Sequence, residues 1–492
     1  MTQTPDETVS HVVTLDDTAD TLTLKSSSNN PDDATITVSE TNTTDQQLVL
    51  AFKLKAGSDS ADITLDKLPI TLAIAGAGAS VTSSESVIDS VVVTIDGKDI
   101  TADLVGAGTL TEPNSKPGLS IYSDITFKSG GLGKHSQDEL ERILAGKTVG
   151  VGFRVDTDAF QFTASTTKED LLLQFQLLAA SITDPGYRPE AARRAQKQID
   201  EIYTSLAHEP QGPLETTVPR ALANNDPRFG LPSKAVLLQR NLAEEKAWLT
   251  PEFTQGPIEV AVVGDVDEQS VISAVAQTLG ALPKRNEKPD YAAERKVSFP
   301  SEKFSQDLTI ISEIPKAIVQ ITWPTDDYKN IYRTRRLNLL ADVMMDRLRI
   351  KIREQLGGAY SPEAFSLPSN TFTHYGQMTA QCLVAPEQAT LIAETIRSIS
   401  YDLSTKGVTE DELKRAKQPL LTSIKESVRT NPYWLMSVLA NCQEMPERLE
   451  WCRTRQSDIE SATKAEIDSL AKRYLSPDKA FQVIVRPVKP AQ

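Results

Sequence analysis

The sequence is poor in the side chains that most often bind metals or form disulfides. Its 492 residues contain only four histidines and three cysteines, which are His11, His135, His208, His374, Cys382, Cys442 and Cys452. No two histidines have the i, i+4 spacing that places two imidazoles on one helical face, and no two cysteines have a C-x-x-C spacing. These absences argue against a metal site on this chain and indicate buried free thiols.

Long apolar runs and positive charge are also scarce. No segment approaches the roughly 18 consecutive apolar residues that a membrane-spanning helix needs. The first eight residues have neither the basic nor the apolar stretch of a signal peptide. The net charge of −15 leaves no basic patch to neutralise phosphates. We therefore expect no membrane span and no nucleic-acid partner, and the sequence leaves the cellular compartment open.

Acidic residues are concentrated in the first 100 positions, which hold sixteen Asp or Glu, five Lys and no Arg. Short alternating runs of Thr, Val, Ile and Leu indicate strands in this segment. Residues 91–95, Asp96-Gly97 and residues 98–101 predict a hairpin with a type I′ turn. Residues 1–101 are therefore predicted to form an acidic, Thr- and Ser-rich all-β module, whose composition resembles that of surface-layer and adhesin β-modules.

From residue 102 onward, helical and strand patterns alternate. Three helices are predicted to open with capping boxes, which begin at Ser136, Thr409 and Thr463 and have Glu three residues later. Long helices are predicted over 332–354 and 409–428. Alternating helices and strands with such signals are typical of α+β folds.

The second part of the chain repeats the plan of the first. Gly186 and Arg194 recur as Gly407 and Arg415 at an offset of 221 residues, and the predicted closing strands nearly keep that offset. We therefore predict two tandem homologous lobes, each a mainly antiparallel sheet with helices packed on one face. The predicted divisions are the β-module 1–101, a first lobe 102–286, a linker 287–300 and a second lobe 301–492.

The most informative motif is the run 353–361, which places Arg353 and Tyr360 on either side of a Gly-Gly turn after a long predicted helix. Taken alone, neither residue requires a function. The helix macrodipole favours an arginine at a helix C-terminus, and a tyrosine can pack its ring on a core while its hydroxyl stays in water. In this position, however, the pair resembles the substrate-binding Arg/Tyr pair of pitrilysin-type (insulinase-type) zinc metallopeptidases. In those enzymes the pair belongs to the half that does not bind the metal. The resemblance covers about 102–488, and its other local matches lie at 105–113, 131–136, 184–189 and 262–266.

The zinc motif of that family is absent where the resemblance places it. Active halves carry H-x-x-E-H on the first helix of the first lobe, and here those positions read Ile121-Tyr122-Ser123-Asp124-Ile125. A catalytic zinc needs about three protein ligands, and two isoleucines supply none. The family's third ligand, a glutamate, would fall near Asp200-Glu201. We therefore expect no metal on this chain and zinc on a partner half.

Other enzyme chemistries find little support. The glycine-rich run 129–133 lacks the G-K-[ST] ending of a phosphate-binding loop, and a turn between helices fits it better. No G-x-S-x-G elbow and no paired Cys/His nucleophile is apparent. His135 and His208 fit solvent-facing positions better than ligand positions.

The resemblance implies a non-catalytic, substrate-binding half or subunit of a pitrilysin-type peptidase. Paired with a zinc-bearing half, it would close a chamber around unfolded peptides and supply Arg353 and Tyr360 to the partner's zinc site. The chain alone is expected to be inactive. The alternative is a non-enzymatic surface or peptide-binding scaffold that kept the fold. The resemblance and the acidic module suggest an extracytoplasmic location.

Overall fold

The computed structural model describes residues 22–26, 52–56, 98–105, 107–356 and 362–489. It divides into two compact units, Met1–Asp96 and Gly97–Gln492. In the first unit, strands β1 (Leu22–Ser26) and β2 (Phe52–Ala56) pair antiparallel, with Leu24 opposite Leu54. Most of the predicted β-module lies outside the described residues, so its architecture and its likeness to surface-layer modules stay predictions.

The first lobe of the second unit is a four-stranded antiparallel sheet in the order β4-β5-β3-β6. Its strands are β3 (Lys98–Val105), β4 (Gly152–Val155), β5 (Ala159–Thr166) and β6 (Ile258–Val263). Its helices are α1 (Leu119–Thr126), α2 (Gln137–Ile143), α3 (Leu171–Thr183), α4 (Pro189–His208), α5 (Gly212–Thr216), α6 (Val218–Leu222), α7 (Lys234–Leu237), α8 (Leu242–Gln255) and α9 (Glu268–Gln277).

The hairpin predicted over residues 91–101 is wrong, because β3 is an inner strand of this sheet. Residues 99–101 pair with β5 on one side and with β6 on the other. A strand has only two hydrogen-bonding edges, so residues 99–101 have no edge left for a hairpin partner. The strand that the sequence assigned to the β-module instead completes the first lobe, and it extends across the predicted boundary at residue 101.

Alternation along the strands builds the core of the first lobe. Phe160 and Phe162 of β5 point to the helical face and are fully buried, together with Phe175 and Leu178 of α3. Their rings contact Phe253 of α8 in edge-on and tilted geometries. This period-two pattern fixes the register, because a one-residue slip would turn both phenylalanines away from the helices.

The second lobe is a five-stranded sheet in the order β7-β11-β8-β10-β9. Only the β7–β11 pair is parallel among the described strands. The strands are β7 (Ser305–Ile311), β8 (Ala317–Thr325), β9 (Pro362–Pro368), β10 (Gly376–Val384) and β11 (Phe481–Val488). The helices are α10 (Ile331–Leu356), α11 (Ala389–Lys406), α12 (Glu410–Ser427), α13 (Glu447–Ser461) and α14 (Lys464–Tyr474), with a π-helical segment at Tyr433–Leu439.

The two lobes share one topology, which confirms the predicted fold class. The order β4-β5-β3-β6 in the first lobe corresponds strand for strand to β9-β10-β8-β11 in the second. The three predicted capping boxes are present at Ser136, Thr409 and Thr463. The main helices of each lobe cover one face of its sheet, where they form the two largest apolar clusters.

The opposite face of each sheet is covered by a segment of the other lobe, which the sequence did not predict. Val218 and Leu222 of α6 join an apolar cluster with Ile318 and Val483 of the second sheet. The segment 433–444 of the second lobe in turn reaches the first sheet, where the Gln443 N–H donates to Glu259 on β6. The two segments follow the corresponding helices α4 and α12, so the exchange is reciprocal.

The predicted linker 287–300 contacts both lobes. Arg295 pairs with Asp158 of the first lobe at 3.1 Å and donates to the Thr371 carbonyl of the second at 3.3 Å. Phe299 stacks on Tyr375, with ring centroids 4.5 Å apart. The segment therefore ties the lobes together.

Candidate functional site

Helix α1 carries residues 121–125, which the sequence resemblance predicts to occupy the positions of the family's zinc motif. It begins after Gly118, whose φ of 86° is in the left-handed region. A Cβ there would lie 2.7 Å from a side-chain carbon of Pro232. The Glu112 carboxylate accepts from the N–H groups of Gly118 and Ser120 at 2.8 and 2.7 Å. Glu112 therefore satisfies the open N-terminus of α1 and fixes where the helix starts.

The two isoleucines of this helix make apolar contacts. Ile121 and Ile125 pack against a buried cluster that includes Ile199 of α4 and Leu237 of α7. Asp124 points elsewhere, and its carboxylate accepts from the Val155 N–H of β4 at 2.6 Å. The two positions predicted to correspond to the family's histidines are therefore occupied by packed hydrocarbon side chains.

The carboxylates expected near a third ligand position are also engaged elsewhere. Asp200 pairs with Lys234 at 2.9 Å and Glu201 with Lys197 at 3.6 Å, and all four side chains are exposed. The residues of α4 that join the α1 cluster are Ala195, Ile199 and Tyr203, and none of them carries a carboxylate or an imidazole. The donor set at this place does not fit zinc.

Arg353 lies in the last turn of α10 with its side chain exposed. The helix is anchored six residues earlier by Arg347, which donates to both Glu412 oxygens at 2.7 and 2.8 Å and to the Gly407 carbonyl at 2.9 Å. This contact holds the end of α10 against the start of α12. Tyr360 lies outside the described residues, so the predicted Arg/Tyr pair stays a prediction.

A potential metal-binding group that the sequence did not single out lies at the end of β8. Ligand atoms of Asp326, Asp327 and His374 lie within 4.8 Å of one another. Arg333 already pairs with Asp326 at 2.6 Å and with Asp327 at 3.2 Å, and the His374 N–H donates to Asp327 at 2.8 Å. The Arg333 charge offsets one of the two carboxylates, and these bonds already occupy the carboxylate oxygens and hold the turn, so we assign no ion here.

The cysteines are free. Burial raises the pKa of the Cys382 thiol to about 12, with a smaller contribution from the Glu363 charge. This thiol is therefore a core residue and not a reactive one. Among the helices that the structure describes, none is both long and apolar enough to cross a bilayer.

Comparison with known proteins supports the assignment of the fold. The family model described as Peptidase M16 inactive domain matches residues 253–420. This range runs from the end of α8 into α12, so it includes β6 and most of the second lobe. The rice (Oryza sativa subsp. indica) chloroplastic stromal processing peptidase is 23% identical over 428 residues. That alignment covers 77% of this chain and 34% of the relative, so the chain spans about a third of the length of the curated relatives it matches.

Solved structures share the fold. The peptidase M16 inactive domain from Pseudomonas fluorescens superposes with a TM-score of 0.68 at 16% identity, covering 81% of this chain and 95% of that one. The periplasmic protease PqqL from Escherichia coli superposes with a TM-score of 0.66 at 19% identity, covering 80% of this chain and 43% of that one. The resemblance to pitrilysin-type (M16) metallopeptidases is thus confirmed, and it is to their inactive, non-zinc domain.

Proposed function

We propose that this chain is the substrate-binding, non-catalytic half of a pitrilysin-type zinc peptidase. The observation that supports the proposal is the packing of Ile121 and Ile125 of α1 into an apolar cluster, at the positions where the sequence resemblance expects zinc ligands. A fold that has kept both lobes and lost its metal ligands needs a second half to perform hydrolysis. The zinc is therefore placed on a partner half or subunit.

Arg353 is proposed to act on the substrate together with Tyr360. Its exposed position in the last turn of α10 leaves the guanidinium accessible from outside the helix. A guanidinium and a phenol can both donate to a peptide carbonyl and stabilise the oxyanion formed when water attacks it. The proposed substrate is an unfolded peptide enclosed between the two halves, and the periplasmic relative supports an extracytoplasmic location.

Native mass spectrometry of the complex purified from its source tests the partner. We expect a stoichiometric second chain with one zinc ion and no zinc on this chain. A metal-free monomer or homo-oligomer would favour the alternative, a peptide-binding scaffold. Zinc bound to this chain alone would contradict the interpretation of Ile121 and Ile125.

Kinetics with that partner test the site. Arg353→Ala and Tyr360→Phe are each expected to lower kcat/KM for peptide cleavage by about 100-fold, as loss of an oxyanion donor does. Assembly measured by native mass spectrometry should stay unchanged. Arg349→Ala is the matched control, because Arg349 is exposed on the same helix and pairs only locally with Asp346 at 2.7 Å. Unchanged turnover in both site variants would reject the site assignment.

A further inference from the structure

Two carboxylates face each other on neighbouring strands of the first lobe, on the sheet face away from its main helices. Asp103 of β3 lies directly opposite Glu259 of β6 in the antiparallel register. Their exposed fractions are 2% and 6%. Opposed residues in such a pair have Cβ atoms about 4.5–5.5 Å apart. Two negative charges this close and shielded from water disfavour each other's ionisation.

Groups of the first lobe compensate little of this charge. The Gln161 amide donates to Asp103 Oδ2 at the long distance of 3.5 Å. The nearest cation, Arg154, donates instead to Gln161 at 3.1 Å and to Asp156 at 3.3 Å. Asp103 Oδ1 and Glu259 Oε2 are buried with no hydrogen-bond partner among the described residues. The pair therefore has buried acceptors that lack donors.

The second lobe closes over Glu259 with the segment 433–444. The Gln443 N–H donates to Glu259 Oε1 at 3.2 Å. Burial raises the pKa of the neighbouring Cys442 thiol, and the Glu259 charge raises it further, while Arg448 opposes the rise. Glu444 adds a negative charge near Glu259 but is itself paired with Lys288. No cation of this segment pairs with either buried carboxylate in the described structure.

We propose that Asp103 and Glu259 share a proton while the segment 433–444 lies on the first lobe, and that loss of this proton weakens the contact between the lobes. A proton between the carboxyl groups supplies the donor that the pair lacks and removes one of two opposed charges. When the segment moves away, water reaches both carboxyl groups. They can then ionise without the penalty of two buried, opposed negative charges. Proton binding and lobe closure on this face are then linked.

The pH window follows from the direction of the shifts. Burial raises the pKa of Asp103 to about 7, to which the charges of Glu259 and Asp156 add, while the Gln161 hydrogen bond and Arg154 oppose the rise. Burial likewise raises the pKa of Glu259, and the Glu444 charge adds to the rise, while hydrogen bonds from Gln443 and Cys442 oppose it without reversing it. The closed state therefore binds more protons than the open state between the ordinary carboxyl pKa near 4 and about 7. Closure is favoured as the pH falls through this window and weakened as it rises.

Hydrogen exchange of the full chain, followed by mass spectrometry at pH 5 and pH 8, tests the proposal. After correction for the intrinsic exchange rate, amides of 433–444 should exchange about 100-fold faster at pH 8, because about two pH units separate pH 5 from the raised pKa of about 7 and each contributes about tenfold. The double variant Asp103→Asn/Glu259→Gln mimics the protonated pair and should be equally protected at both pH values. Equal wild-type protection at the two pH values would overturn the proposal, and that measurement does not depend on the variant folding.

Two controls separate the shared proton from other causes. Asp99→Asn should keep the wild-type pH dependence, because Asp99 lies on the same face of β3 but opposite Val263. The wild-type exchange is repeated at pH 8 with Ca²⁺ or Mg²⁺ and should not change. Recovery of protection by either ion in the wild type, but not in the double variant, would show that a cation joins the carboxylates and would reject proton sharing.

Discussion

At the scale of single residues, Ile121 and Ile125 stabilise the first lobe at positions that correspond to metal ligands. Both contact the cluster that contains Tyr122, Ile199 and Leu237. Burial of apolar side chains is favourable, while an imidazole placed there would lose hydrogen bonds to water. Isoleucine at these positions therefore adds apolar packing and offers no metal ligand.

Restoring the motif histidines should not restore the metal. Ile121→His/Ile125→His is expected to lower the free energy of unfolding by about 1–3 kcal/mol and to bind no stoichiometric zinc, because Ile199 contributes no ligand. Urea unfolding and zinc titration calorimetry measure the two effects. Ile121→Val/Ile125→Val is the control. It removes one methylene at each half-buried site without adding a polar group, so the loss should be smaller, about 0.5 kcal/mol per site. Tight one-to-one zinc binding would show that other ligands lie within reach.

A second residue-scale feature is the buried Glu245 on α8. The Thr126 hydroxyl has one proton and lies 2.7 Å from the Tyr122 carbonyl and 2.9 Å from Glu245 Oε2. If that proton goes to the carbonyl, Glu245 must carry its own proton to bond Thr126. Burial raises the pKa of Glu245 to about 8, although the hydrogen bond with Thr126 acts to lower it. The raised pKa agrees with a neutral Glu245 carboxyl group.

Glu245→Gln should remove a pH dependence of stability. With the pKa raised in the folded state, the wild type loses stability as the pH rises from about 4.5 to about 8. The neutral glutamine should make the protein about 1–2 kcal/mol more stable than wild type at pH 9, with little difference at pH 5. Urea unfolding at both pH values measures this. A difference in the free energy of unfolding that stays the same from pH 5 to pH 9 would contradict a neutral Glu245.

At the scale of elements, one carboxylate joins α10 to α12. Glu412 closes the capping box of α12 by accepting from the Thr409 N–H at 2.7 Å, and it also accepts both hydrogen bonds from Arg347. Burial raises the pKa of Glu412, but the bonds from Arg347 and Thr409 outweigh it and lower the pKa to about 2. This contact holds the last turns of α10 on the start of α12, where Arg415 of α12 also pairs with Asp346 of α10 at 3.1 Å.

Glu412→Gln is expected to lower the free energy of unfolding by about 1–3 kcal/mol at pH 7, because the variant loses a charged hydrogen-bond acceptor. The lowered pKa means that this stability is present above about 4.5 and is lost as the pH falls toward 2. The wild type and the variant should therefore converge in stability at low pH. Thermal unfolding between pH 2.5 and 7 measures this convergence. Glu410→Gln is the control, because it changes an exposed acid in the same turn. This control variant should keep the pH dependence of stability of the wild type.

At the scale of the whole molecule, the lobes are joined by exchange of segments as well as by the linker. Segment 212–222 covers the second sheet and segment 433–444 reaches the first. Arg295 and the stacked Phe299 and Tyr375 add contacts between them. We expect the two lobes to unfold as one unit under conditions where both segments are docked.

Removing the linker contact should weaken that unit. Arg295→Ala is expected to lower the free energy of unfolding by about 1–2 kcal/mol, because it leaves the half-buried Asp158 unpaired. Arg193→Ala, which breaks an exposed pair within α4, should change it by less than about 0.5 kcal/mol. Urea unfolding measures both. A split transition in the Arg295 variant would mean that the lobes have become independent, whereas equal effects of the two variants would contradict the role of Arg295.

Local chemistry made much of this protein predictable from its sequence. Capping boxes, strand alternation and the repeated glycine and arginine positions depend on residues close together in the chain, and they predicted the helices, most strands and the two lobes. The isoleucines at positions 121 and 125 were informative for the same reason, because a missing ligand is visible without knowing its neighbours. The fold class and the resemblance were therefore available before the tertiary structure.

What depends on distant pairing was decided only by the tertiary structure. Residues 98–101 look the same in a hairpin and in a sheet, and only the pairing of β3 with β5 and β6 places them in the first lobe. The same pairing sets Asp103 opposite Glu259, more than 150 positions away in the chain. The sequence by itself determined most of the elements, because they follow from neighbouring side chains, and it predicted the missing zinc ligands on the same local basis. The tertiary structure alone decided the strand partners, the exchanged segments and the buried acid pair, because each needs two parts of the chain to meet.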